Sequence, residues 1–568
     1  MKATRSVLFL VTGFLVCPVL SFAQPSASQT AGGVSLQEET IEKTRSLRSL
    51  IESRASAQKK SEPEAIVVAD SGPKVLIKKI TVEGAEAVAY ADVQKIVAQY
   101  EGTEISLKQA QKVADRITDL YRQKGLMTSR AYVPPQSLKE GNLLIKVIEG
   151  RVGSIEVRGN RFFSTSLLKD RLSMPPGGYF DYSALQRSLV YINEHPDRNV
   201  KASILPGKTP GTTDVIVDVK DQLPIHAGFE FDNFASRYID KERYSTILEH
   251  NNLTGHDDKL YYKFQTTEGG YMHMQQGRYV YPVLTSLDLG GYFIDSKLKL
   301  GREFEDLESR GKARIYGVFM NKALLQKTDL DIRYTLGFDY KNIVNFLSGN
   351  KTSRDNLRIL KNGVDVDYSD NYGRNILGLE YDAGFPDIMG GMDAKDAMAS
   401  RAGSGARFQK EMLTYYRLHP TPFSTSLLWK NSVQFSNHTL PASEQFQAGG
   451  AASVRGYAPA EAAGDSGYYT ALELSFPLYG LSKDVKVPFR KEKLWDAFRF
   501  VTFWDFATTK VKNTTPGEKD TTTLKGYGVG ARFNVLNLTA RVELGYPIGK
   551  TSADGNRPHP WVEFTYKF

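Results

Sequence analysis

In GGAASVRGYAP, residues 449–459, one arginine stands among glycines, alanines and a serine, directly before Gly456 and Tyr457. A guanidinium is a planar fork that meets a carboxylate with two parallel hydrogen bonds, and small neighbours let a backbone pass through a narrow space. Holding is the chemistry this stretch offers; a solvated surface-loop cation is the plainer alternative. Residues able to turn over a substrate are not spaced to do so. The eight histidines are dispersed and none makes an HExxH or other metal-ligand spacing; His250 and His256 lie near a turn. GDSGY (464–468) has the wrong order for a nucleophile elbow. GYPIGKT, Gly545 to Thr551, has one residue too few between its glycines for a phosphate loop. The acids of GREFEDLESRG resemble an exposed turn more than a carboxylate pair. No catalytic residue, metal site or cofactor is expected, and the chain is not read as an enzyme.

Composition sets the compartment. The 568 residues are 41% hydrophobic and 24% charged, ordinary for a soluble protein, and past residue 22 no apolar run approaches the roughly 20 residues of a spanning helix. The N-terminus argues differently. Lys2 and Arg5 precede VLFLVTGFLVCPVL (Val7 to Leu20), and Ser21-Phe22-Ala23 supplies a cleavage site before Gln24, so residues 1–23 are expected to be a signal peptide. The only cysteine, Cys17, falls inside it, which leaves the exported chain without disulfides or a thiol nucleophile. A net charge of +9 suggests nucleic acid, but export and the interspersion of Lys and Arg with acids argue against it. The excess cations fit a solvated or lumen-lining surface.

Three periodicities then divide the chain. Within the segment 24–62, a polar tract is followed by LQEETIEKTRSLRSLIESRASAQKK (36–60), which carries a helical pattern with Leu36, Ile41, Thr44, Leu47, Leu50 and Ile51 near one face. SEPEAIVVADSGP breaks it, with residues 63–73 as linker. Residues 74–150 and 151–222 are two copies of one module at an offset of 75: Ile77, Ile80, Val82 and Gly84 match Val152, Ile155, Val157 and Gly159, and Gly102 matches Gly177. Each copy reads as a strand, two helices and two strands. In the first, Ser106 and Gln109 predict a capping box and Leu107, Ala110, Val113, Ala114, Ile117 and Leu120 the apolar stripe; the second copy's helix opens at Asp181.

From residue 223 to 568 the period is two. In LDIRYTLGFDYK, Leu330, Ile332, Tyr334, Leu336, Phe338 and Tyr340 alternate with Asp331, Arg333, Thr335, Gly337 and Asp339, and Thr539, Arg541, Glu543 and Gly545 form the polar face of a later run. A soluble sandwich shows such alternation too. Strands of roughly ten residues, aromatic ends and an exported chain favour a transmembrane β-barrel, of roughly 16 strands at about 20 residues per strand and connection.

A leader, a helix on a linker, two tandem modules and a barrel ending on Phe568 resemble the TpsB transporters of two-partner secretion, in the Omp85 superfamily. The motifs that carry the resemblance are NEHPDRNVKASILPGKTPGTTDVIVDV in the second module, the loop motif Val454, Arg455, Gly456 and Tyr457, and FWDFA with Phe503 and Asp505. LKGYGVGARFNVLNLTARVELGYPIG is similar to the family's penultimate hairpin. Ala507 departs from the pattern, standing where glycine is usual.

The resemblance implies an outer-membrane barrel of 16 strands, two periplasmic POTRA domains, a plug helix in the pore, and export of a TpsA-type exoprotein (adhesin, cytolysin or toxin) without ATP. It implies that the Arg455 loop folds into the lumen and that Arg455 pairs with Asp505. Phe564, Tyr566 and Phe568 are expected to be the C-terminal signal read by the barrel-assembly machinery, in a wall facing outer-membrane lipid. The alternatives are an Omp85-type insertase, whose chains commonly carry more modules than the residues before 74 have room for, and a passive porin. An extended cargo is expected to add as a strand to a module's sheet edge.

Overall fold

The alternation that begins near residue 223 closes on itself. The computed structural model describes residues 30–54, 74–137, 140–327, 329–488, 490–514 and 517–568; the expected leader, 1–23, and linker, 63–73, lie outside the described residues. Sixteen antiparallel strands run from Ile225–Asp232 to His559–Lys567, and the last pairs with the first, Phe564 opposite Phe231 and Tyr566 opposite Phe229. Closure removes the row of unpaired backbone groups that an open sheet presents. The polar set of the seventh strand, Leu330–Leu347, turns inward, where Asp339 and Lys341 are buried among other side chains. Val318, Leu379, Leu472, Trp504, Val529 and Val542 face out and are exposed, a surface unfavourable in water and suited to lipid.

The wall is uneven in height. The first three strands have 8, 8 and 9 residues, whereas the sixth, seventh and eighth have 17, 18 and 21. At about 3.4 Å per residue the eighth is roughly 70 Å long, and at a tilt of about 40° it rises roughly 50 Å, beyond a hydrocarbon layer of about 30 Å. Its upper edge outruns the ninth strand, Gly373–Gly384, and the loop 385–407 completes it. Phe385 and Met392 donate backbone N–H groups to Arg358 and Asn356, and Arg354 donates to Met398. Arg358 fastens the loop: its guanidinium lies 3.3 Å from the centroid of Tyr340 and donates to the Met389 carbonyl.

Each module is a three-stranded sheet under two helices. The first orders its strands Lys79–Glu83, Asn142–Ile148, Arg130–Tyr132; the second Arg151–Arg158, Thr212–Asp221, Arg198–Pro206. The repeat has a steric basis. Gly84 and Gly159 hold φ of +81° and +85°, and a Cβ on either would stand 2.5 Å from a carbonyl, of Val147 or Val219.

Three expectations need correction. The first module's opening strand is broken: Lys74–Ile77 leaves the sheet to form a ribbon with Thr103–Ser106. Leu107 is 69% exposed, because the first position of helix Leu107–Gln123 sits at the mouth of the core; Tyr121 completes the stripe instead. The N-terminal helix, Ala31–Arg54, starts upstream of Leu36 and buries Ala31, Val34, Ser35, Glu38 and Ile41, while Leu36 is only half-buried. A helix inside a charged lumen turns a mixed face to its partners. The side chains of Thr44, Leu47, Leu50 and Ile51 lie outside the described residues.

Candidate functional site

Between the eleventh strand, Thr425–Ser436, and the twelfth, Ser466–Pro477, the chain does not stay at the rim. It turns into the lumen, where Ala448, Val454, Tyr457 and Ala462 pack with Tyr469, Ala471, Ala507 and Leu524 of the wall. The space is tight: a Cβ on Gly545 of the fifteenth strand would stand 2.2 Å from the Arg455 carbonyl. The small residues around Arg455 are what a backbone pressed against a wall requires.

Arg455 and Asp505 are both buried and meet as a fork, with Nη2 at 2.6 Å from Oδ1 and Nε at 2.8 Å from Oδ2. The Arg455 backbone N–H donates to the same carboxylate at 3.1 Å, and Trp561 Nε1 donates to its carbonyl at 2.7 Å. Phe503 lies beneath, its ring centroid 3.4 Å from the guanidinium carbon. Tyr457 donates its hydroxyl to the Ile548 carbonyl. Val454, Arg455, Gly456, Tyr457, Phe503 and Asp505 are thus brought together around one contact. Phe564, Tyr566 and Phe568 are not part of it; they sit on the last strand, with Phe564 and Phe568 exposed on the outside.

Two of the arginine's partners escape sequence reasoning. Its Nη1 lies 3.0 Å from Glu473 and 3.1 Å from Glu543. Arg532 bridges the same two carboxylates at 2.8 and 2.6 Å, Lys430 pairs with Glu473, and Arg541 spans Glu543 and Glu563. Four cations thus share four carboxylates inside the barrel. A buried charge is tolerated only when paired and hydrogen-bonded, so removing one member leaves its partners uncompensated. The alternation placed Glu543 on the polar face, but only the register of the closed sheet brings it beneath Arg455. Ala507 stands buried in the unbroken thirteenth strand, Phe498–Lys510, its methyl filling the space between wall and loop.

The helix Ala31–Arg54 occupies the remaining lumen. Glu38 reaches Arg243 at 2.5 Å and Lys263 at 3.2 Å, Glu42 reaches Lys263 at 2.7 Å, and Lys43 reaches Glu380 at 3.4 Å across the bore. Its first turn is held by the same inward loop and the seventh strand: Gln447 donates to the Gly33 carbonyl, and Asn345 Oδ1 accepts from the Ala31 N–H. Wall, helix and loop thus form one polar interior, with a helix and a loop standing in the bore.

The family model described as haemolysin secretion/activation protein ShlB/FhaC/HecB matches residues 211–492, and that of the ShlB-type POTRA domain matches residues 75–150. The heme/hemopexin transporter protein HuxB of Haemophilus influenzae (strain 86-028NP) is 22% identical over 495 residues, 85% of each chain. The outer membrane transporter CdiB of Escherichia coli O6:K15:H31 is 22% identical over 481 residues, 82% of this chain and 80% of its own. Among solved structures, CdiB from Escherichia coli superposes with a TM-score of 0.76 at 19% identity, over 96% of this chain and 100% of that one. BamA from Haemophilus ducreyi lacking POTRA domains 1–3 superposes with a TM-score of 0.53 at 14% identity, over 87% and 100%, which speaks to fold alone.

Proposed function

Given that the chain belongs to the ShlB/FhaC/HecB family of TpsB outer-membrane transporters, we propose that it exports one unfolded TpsA-type exoprotein without nucleotide, and that its POTRA domains receive that cargo. The barrel lies in the outer membrane with both POTRA domains in the periplasm. The family is one of transporters, not of enzymes, and it implies a secreted TpsA-type partner.

The observation that carries the proposal is the obstructed lumen. A passive porin needs a standing water path, whereas this pore is filled by a helix and a loop held through buried ion pairs. A filled pore that must open for a large chain suits regulated export. With no phosphate loop in the sequence, transport runs downhill, driven by cargo folding outside. An extended cargo gains backbone hydrogen bonds by adding to an edge strand, of which the modules' two three-stranded sheets have four among the described residues: Lys79–Glu83, Arg130–Tyr132, Arg151–Arg158 and Arg198–Pro206. Outer-membrane lipid contacts the exposed apolar belt, and the assembly machinery reads Phe564, Tyr566 and Phe568 during biogenesis.

Deleting residues 74–150 separates the readings. A transporter loses partner export while other outer-membrane proteins stay at normal abundance; an insertase depletes them; a porin goes on conducting. The direct measurement is reconstitution in liposomes with a candidate partner encoded nearby. Protease-protected entry of the unfolded partner in the absence of nucleotide is the expected result, and solute flux without cargo transfer would refute it.

A further inference from the structure

A group of cations on the fifth and sixth strands, Leu287–Lys299 and Arg310–Gln326, has no part in the lumen. One set of side chains on these strands turns in: Leu298 and Ala313 pack in one cluster with Ala31 and Val34 of the N-terminal helix, and Ser296 is buried. The alternate set, Lys297, Lys299, Arg310, Lys312 and Arg314, therefore turns outward, and all five are exposed.

Register sorts the outer face into rows. Phe293, Tyr316 and Tyr340 stand side by side across the fifth to seventh strands, and nearer the modules lie the exposed Leu289 and Val318. Aromatic residues mark the edges of the apolar belt of a membrane barrel. Moving away from the modules, the next rows pair Asp295 with Arg314, then Lys297 with Lys312, then Lys299 with Arg310. The first strand begins at Ile225, directly after the second module, so the far end of the barrel, where these rows lie, is the outer-leaflet side. Lys322, which donates to Ser286 Oγ at the near end, lies eight residues from Arg314 along the sixth strand. At about 3.4 Å per residue and a tilt of about 40° that is a rise of roughly 20 Å, close to the height of such a belt.

The patch is poorly balanced in charge. Arg314 meets Asp295 at 3.1 Å and Arg310 meets Glu308 at 3.4 Å, both at the surface. Among the described residues no carboxylate pairs with Lys297, Lys299 or Lys312. Like charges directly opposite one another destabilise a sheet, and here two such pairs adjoin, Lys297 with Lys312 and Lys299 with Arg310. By contrast, an outward row near the same end of the ninth, tenth (Phe408–Thr421) and eleventh strands is Tyr381, Glu411 and Phe435. The cations are thus not a general feature of that rim.

We propose that the outside of the fifth and sixth strands binds a phosphorylated, multiply acylated glycolipid of the outer leaflet. Its acyl chains lie against Leu289, Phe293, Tyr316 and Val318, and its phosphates sit among Lys297, Lys299, Arg310 and Lys312, offsetting the repulsion between the paired cations. Ammonium and guanidinium groups both hold phosphate. Five cations against two carboxylates exceed what one phosphodiester balances. The four residues from Arg314 to Arg310 extend about 14 Å along the strand, deep enough for a headgroup with sugars and more than one phosphate.

The test is native mass spectrometry of the whole chain released from detergent micelles, with lipid A, dephosphorylated lipid A and phosphatidylglycerol as separate probes. The parent is expected to retain lipid A and to bind the other two about tenfold or more weakly, the order of change that loss of a charge-assisted contact brings. The triple variant Lys297→Gln, Lys299→Gln, Lys312→Gln should lose lipid A by a similar factor, whereas Lys322→Gln, at the other end of the strand, should keep it. Dephosphorylated lipid A binding as tightly as lipid A overturns the phosphate site, and phosphatidylglycerol doing so overturns the choice of a glycolipid. Undiminished binding by the triple variant overturns the location. Heat-modifiable migration checks that the variant barrel is closed; should it fail to close, Lys297→Gln, Lys312→Gln, which removes one like-charged pair, takes its place.

Discussion

At Arg455 the shape of the guanidinium matters more than its charge. Lysine would keep the cation in place of the fork that meets Asp505, Glu473 and Glu543 at once. Arg455→Lys is expected to reduce export strongly while the barrel still assembles, judged by secreted partner against heat-modifiable migration of the barrel; export at the parent's level would show that the fork is dispensable. Ala507 gives a second test. Its methyl is buried between Val454, Tyr457 and Leu524, and glycine within a strand costs roughly 0.5–1 kcal/mol. Ala507→Gly should lower the unfolding free energy by that small amount, read as a slightly lower urea midpoint at unchanged slope, and leave export intact. The arginine was legible because it is out of place among small residues, and Asp505 because it stands in a recognisable motif. Glu473, Glu543, Arg532 and Trp561 were not, since strand-to-strand register in a closed barrel leaves no local mark on any one strand.

The helix Ala31–Arg54 is a polar element fastened by charge. Hydrogen bonds to charged groups contribute about 1.5–3 kcal/mol, and about 1.4 kcal/mol changes a population tenfold. Removing the Glu38 charge takes away the helix's ion pair with Arg243 and one of its two with Lys263, which keeps Glu42, while Asp232 and Glu230 on the wall still pair with the two cations. Glu38→Gln should therefore raise the frequency of large-conductance openings in planar bilayers roughly tenfold or more; unchanged openings would mean the helix is held by packing. That a helix lay here was legible from its period, but the face it buries was not, because an apolar stripe predicts a hydrophobic partner and the partner is a charged lumen. The junction of second module and barrel offers a pH test. Burial pushes His195 below its ordinary value of 6.5, and Asp197 N–H donates to its Nδ1, a bond lost on protonation. The unfolded junction binds the proton more readily, so this contribution is complete above about pH 6.5 and declines as pH falls below it. Acidification from neutrality should loosen the junction, read as faster hydrogen exchange at residues 193–200, and His195→Gln should flatten that dependence.

The two POTRA domains act as one arm rather than beads on a string. Tyr182 N–H donates to the Gly125 carbonyl, Arg151 lies 3.7 Å from Glu86, and Tyr179 packs against the first module's core, so the junction is built from both copies. The architecture was legible from sequence because each layer has its own period: an offset of 75 for the modules, two for the barrel. Strand number followed from length alone, since closure makes every strand cost about the same stretch of chain. Individual strand lengths did not, and they give the molecule its asymmetry. The sixth to eighth strands stand as a palisade whose edge the loop 385–407 completes, while the first three strands are about half that length or less. Under the export proposed above, a polypeptide leaving this pore would have a finished sheet at its back on that flank, and its first folded turns would form in the lee of that wall.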